Sequence, residues 1–123
     1  MSDNSRFEEL EKKIEMLEFR QKLLFDNDDL SRLLFEYNIT HQQYRDIMDL
    51  MDSYRDDIDN KKEVNNSNFE DAIYKIVPEH FGDYHMCEYI ARAFMDTGRW
   101  EEVFPALYGD MPKYKFLMEE NND

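Results

Sequence analysis

The stretch FEELEKKIEMLEFRQKLLF (residues 7–25) decides how this chain is read. Within it Phe7, Leu10, Ile14, Leu17, Gln21 and Leu24 recur at spacings of 3, 4, 3, 4 and 3. That alternation keeps one seam along a helix and is the heptad pattern by which helices pair, with Gln21 as a polar member at an a-like position. Met16, Phe19 and Leu23 add a second apolar stripe. A helix apolar on two sides needs two partners, one stripe meeting the domain core and the other a second chain. Just upstream, Ser5-Arg6-Phe7-Glu8 has the form of a capping box, in which Ser and Glu satisfy the free N–H groups of a helix start. The helix is therefore expected to open there, with residues 1–4 frayed.

The same period continues outward. Asp26-Asn27-Asp28-Asp29 interrupts it and supplies acidic caps for a short helix whose inner side is Leu30, Leu33, Leu34 and Tyr37. After the tight link Asn38-Ile39, Thr40-His41-Gln42-Gln43 is a second capping box, opening a long helix over about 41–60. Tyr44, Ile47, Met48, Met51, Tyr54, Arg55 and Ile58 mark its inner face. Residues 60–68 read as the one long loop. Ser67-Asn68-Phe69-Glu70 is a third capping box, leading a helix that Pro78 stops, because the residue before proline resists helical geometry. Asp83 is expected to cap the next helix and Gly98 to end it. Residues 100–108 are expected to be helical, kinked or shortened by Pro105. Asp110-Met111-Pro112 starts a last helix carrying Tyr114, Leu117 and Met118, and residues 119–123 are expected to fray. No alternating run of β-branched residues is present, and Val occurs three times. The expected fold is all-α: a single domain over 1–123, a compact bundle of five to seven helices with a long heptad-patterned N-terminal helix.

Composition narrows the function. The 123 residues carry 15 Lys and Arg against 29 Asp and Glu, a formal net charge of −14, which disfavours direct nucleic-acid binding and adhesion to anionic membranes. A disordered acidic tail would lack the 15% of aromatic residues found here. No apolar run approaches the length needed to span a bilayer, and the start of the chain lacks the basic and apolar regions of a secretory signal. The lone Cys87 forms no intrachain disulfide, so a cytoplasmic setting is expected.

Few groups of residues suggest chemistry. Asp46, Asp49, Asp52, Asp56 and Asp59 give the long helix an acidic face, expected to be solvated, since Mg²⁺ and Ca²⁺ sites draw oxygens from several segments. His80, His85 and Cys87 are the weak candidates for metal, spaced His-x4-His-x-Cys, unlike the paired ligands of a zinc site. No phosphate-binding glycine loop, nucleophile elbow or HExxH motif is present, so no catalytic residue and no cofactor are assigned. Gly98 and Trp100 mark the turn of a helical hairpin, in the style of one tetratricopeptide unit but without the repeats such arrays need.

Taken together, Leu17-Glu18-Phe19, Ile47-Met48, Phe69 and the turn Gly98-Arg99-Trp100-Glu101-Glu102-Val103-Phe104 resemble the YhaI-like family of small uncharacterised proteins from low-GC Gram-positive bacteria. The resemblance covers roughly 17–111, while Pro105 and the tail depart from the pattern. It implies an all-helical fold and brings no catalytic residue or cofactor. Three functions follow in order. The first is a non-enzymatic interaction protein that self-associates through its N-terminal helix, with an unknown protein partner as a further expectation. The second is an acidic mimic of nucleic acid that occupies a DNA- or RNA-binding protein. The third is an unrecognised metal-binding protein or enzyme.

Overall fold

The computed structural model describes residues 3–115. Among them the regular elements are all helical: α1 (Asp3–Asp26), α2 (Asp29–Glu36), α3 (His41–Asp59), α4 (Asn66–Ile76), a 3-10 turn (Pro78–His80), α5 (Tyr84–Asp96) and α6 (Val103–Tyr108). A further helical turn begins at Pro112 and runs to Lys115, the last described residue. Leu117, Met118 and residues 119–123 lie outside the described residues. The fold is all-α, with no strand among the described residues.

Several helix starts follow the sequence signals. Thr40 and Gln43 form a reciprocal capping box: the Gln43 N–H donates to Thr40 Oγ1 at 3.0 Å, and the Thr40 N–H donates to Gln43 Oε1 at 2.9 Å. Asp28 accepts from the Ser31 N–H at 2.7 Å, and Asp83 from the Met86 N–H at 3.0 Å. Two other starts differ. The first helix begins at Asp3, which puts Ser5 inside its first turn. The cap of α4 is Asn65, accepting from the Asn68 N–H at 2.8 Å, so Ser67 lies within the helix and the loop is shortened to 60–65. Asn caps as well as Ser does, and the helix starts two residues earlier than a Ser67 cap would allow.

Three of the helix ends share one device. Asn38, Lys61 and Gly98 adopt left-handed backbone with φ of 55°, 60° and 79°. In each case two N–H groups turn back onto the last carbonyls, as when Gly98 N–H bonds Met95 and Arg99 N–H bonds Phe94, both at 3.0 Å. This closes α2, α3 and α5. Pro105 goes with a shorter helix than 100–108, since α6 starts only at Val103. It sits third in α6, among the first four residues whose N–H groups have no intrahelical acceptor, so its missing donor costs nothing. The three residues before α6 form a turn instead of the expected helix, and Trp100 itself has a φ of +49°.

The chain divides into two compact units, Met1–Tyr44 and Arg45–Asp123, with the boundary inside α3. In the first, α1 and α2 pack as a hairpin. Phe19 and Leu23 are the buried residues of α1, and Leu30, Leu34 and Ile39 are buried with them. The Phe19 ring stacks on His41 at 4.7 Å, and the Arg20 guanidinium lies 3.8 Å over the Phe35 ring while bonding Asn38. Burying a side chain such as Phe19 or Leu23 contributes about 1.5–3 kcal/mol. The second unit centres on α5, where Met86, Cys87, Ile90, Ala91 and Phe94 are buried. Rings of Tyr54, Phe69, Tyr108, Phe104 and Tyr114 follow edge to face or tilted, with centroids 5.0–6.5 Å apart.

Candidate functional site

The two stripes of α1 meet different fates. Phe19 and Leu23 are buried and Met16 is half-buried, so the second stripe faces inward. The heptad seam faces outward. Phe7, Leu10, Ile14, Leu17 and Leu24 keep between 53% and 65% of their surface accessible, and Gln21 is exposed beside them. Phe25, next to the end of the seam, is 88% exposed. Five large apolar side chains in a 3-4 repeat thus lie along about 26 Å of one helix face. Isolated apolar residues on a surface need no explanation, whereas a continuous row of them at this spacing makes the seam the candidate surface of the first unit.

In the second unit one of the acidic side chains that the sequence singled out is engaged in an internal bond. Asp52 accepts from the Trp100 indole N–H at 2.6 Å, so it is tied to the hairpin turn. Arg55, on the same helix, pairs with Glu102 at 2.6 Å and lies 5.7 Å from the Trp100 ring. The Trp100 ring meets Phe94 edge to face at 5.0 Å and carries the Arg99 guanidinium at 4.7 Å. Arg55 thus borders the acidic face of α3 on the side of Asp52 and Asp59. Asp49, Asp52, Asp56 and Asp59 are exposed, and Asp46 is half-buried.

His80, His85 and Cys87 are not brought together. Among the described residues no group of three or more His, Cys, Asp or Glu is placed to hold a metal ion. Cys87 is buried, and burial pushes its thiol up to about 12, partly opposed by a hydrogen bond with Tyr74. A thiol held that far up is not a nucleophile near neutral pH. His85 is half exposed, with Nδ1 at 3.8 Å from Glu88 Oε2 and its ring 4.2 Å from Tyr84.

The sequence reading missed Glu88. Its carboxylate is buried on α5 and accepts two bonds from Lys113 Nζ, at 3.0 and 2.9 Å, and one from the Tyr114 hydroxyl at 2.7 Å. These bonds tie the turn after Pro112 onto α5. Burial, then the bond to Glu88, raises the Tyr114 hydroxyl, and the Glu88 hydrogen bond raises the Lys113 ammonium. Nearby, the Tyr108 hydroxyl donates to Glu70 at 2.8 Å. Burial raises the Glu70 carboxyl, partly offset by that bond. Among the described residues no buried side-chain nitrogen or oxygen lacks a partner. Carboxylates satisfied in this way hold helices together; they present no free group to a substrate. A signal existed in the sequence: Glu88 falls in the apolar stripe of Tyr84, Cys87 and Ala91 at helical spacing.

No helix among the described residues is long and apolar enough to cross a membrane. Compared with known proteins, the chain matches no family model, no curated protein and no solved structure. The α1 seam is thus the surface that the chain's own geometry singles out.

Proposed function

We propose that the chain is a non-enzymatic, cytosolic interaction module that pairs with a second copy of itself through the α1 seam. One observation carries this reading: the residues in coiled-coil register are the ones left exposed, while the out-of-register stripe is buried. A helix exposed by accident would show apolar residues scattered over its surface. In addition, helices in proteins gain most of their stability from packing an apolar face, and the exposed seam runs through most of α1. Pairing buries that seam and gives a small chain the apolar area it otherwise lacks. The −14 charge repels nonspecific partners and keeps the assembly soluble. The resemblance to the YhaI-like family assigns no activity and is compatible with this role.

The test is the thermal melting of helix signal over about a hundredfold range of protein concentration. Self-association raises the midpoint with concentration, and the combined change Ile14→Glu and Leu17→Glu abolishes that dependence. A wild-type midpoint independent of concentration removes the proposal.

A further inference from the structure

We infer that the two α1 helices pair parallel and in register, so that each seam residue meets its own counterpart. The inference rests on the self-association reading and adds its orientation. With Phe7, Ile14 and Gln21 at a and Leu10, Leu17 and Leu24 at d, the g positions are Arg6, Lys13 and Arg20, and the e positions are Glu11, Glu18 and Phe25. The flanks are thus sorted by sign, basic on one side of the seam and acidic on the other up to Phe25. Arg6, Glu11, Lys13 and Glu18 are all exposed, and among the described residues none has an ion-pair partner in its own chain. In a parallel pair each g residue faces the e residue five positions later on the other helix. That sets Arg6 against Glu11 and Lys13 against Glu18, each twice by symmetry. An antiparallel pair that sets Leu10 against Gln21 brings g beside g and e beside e, placing Lys13 by the basic Arg20 and Glu11 by the acidic Glu18 and leaving Arg6 without an acidic partner. Like charges so placed select against the arrangement. Arg20 is already committed to Phe35 and Asn38 of its own hairpin.

The seam residues point the same way. A β-branched Ile14 at a with Leu at all three d positions favours two parallel strands. Gln21 at a fixes the register. In a parallel in-register pair its amide meets the identical amide and the two bond each other. In an antiparallel pair, or one slipped by a heptad, it meets an apolar side chain and loses its partner. Both chains then leave the coil at the same end, beyond Asp26.

Disulfide trapping tests this in the full-length protein with Cys87→Ala as background, after sedimentation establishes that each variant is dimeric and circular dichroism that it is folded. Leu10→Cys is expected to form a covalent dimer with itself on mild oxidation. A tagged Leu10→Cys chain mixed with Gln21→Cys, which face each other in an antiparallel pair, is expected to give no preferred mixed product. Lys13→Glu is expected to weaken the dimer about tenfold, and adding Glu18→Lys to restore it. A dimer that traps mainly the mixed 10–21 product overturns the orientation and leaves self-association standing. A monomeric mass before oxidation overturns self-association, and the orientation with it.

Discussion

The Trp100 indole N–H donates to Asp52 Oδ1 at 2.6 Å, joining residues 48 positions apart in the sequence. The bond links the middle of α3 to the turn between α5 and α6. It also holds Trp100 in a left-handed backbone conformation that a bulky residue adopts at a cost of about 1 kcal/mol. The ring is clasped as well by Phe94, Arg99 and Arg55. Asp52 is thereby a structural residue, where the sequence alone placed it on a solvated acidic face.

Changing Asp52 to Ala is expected to lower unfolding stability by about 1–2 kcal/mol, because the indole donor loses a charged acceptor. Asp49→Ala, one turn away and exposed, is expected to change it by less than about 0.5 kcal/mol. Chemical denaturation followed by the fluorescence of the lone Trp reads both.

The Glu88 network predicts an asymmetry between its two ends. Glu88→Ala leaves the Tyr114 hydroxyl without its acceptor and opens a cavity on α5, at an expected cost of about 3 kcal/mol. Lys113→Met removes a half-exposed partner while Tyr114 still donates to the carboxylate, so its expected cost is clearly smaller than that of Glu88→Ala. Equal losses would show that the lysine matters more than its exposure allows.

Alkaline titration should be biphasic. Tyr54, Tyr74, Tyr108 and Tyr114 are all raised, chiefly by burial. Above the ordinary tyrosine range the unfolded chain gives up these protons and the folded chain keeps them, so stability falls as pH rises. Lys113, raised by its bond to Glu88, acts in the same direction at slightly higher pH. Tyrosinate absorbance is expected to show one class of rings titrating in the native protein and a second appearing only with unfolding. A single smooth step with the helix signal intact would contradict the buried ring chain.

The Cys87 thiol, buried and held up to about 12, should resist thiol reagents at pH 8 in the folded protein and react fully in denaturant. Reaction of the native protein at the rate of a free thiol would place Cys87 at the surface.

Much of the architecture was legible because helical periodicity needs only near neighbours. The sequence showed the two stripes of α1, the Thr40–Gln43 box, the Asp83 cap and the Gly98 end. The caps it misplaced lay among competing polar residues: Asn65 and Ser67 both make acceptable caps, and local spacing does not choose between them. Glu88 was overlooked although it lies in an apolar stripe, since its partners Lys113 and Tyr114 are 25 and 26 residues away. Nothing in local spacing joins Asp52 to Trp100 or Arg55 to Glu102. Such pairings are set by the packing of whole helices, to which propensity and capping are blind.

Self-association through α1 is tested most directly by sedimentation equilibrium of the wild-type chain and the Ile14→Glu, Leu17→Glu variant over a range of concentrations up to hundreds of micromolar. The account predicts twice the 15.1 kDa chain mass for the wild type and the single-chain mass for the folded variant. A wild-type protein that sediments as one chain, or a variant that remains a dimer, contradicts it.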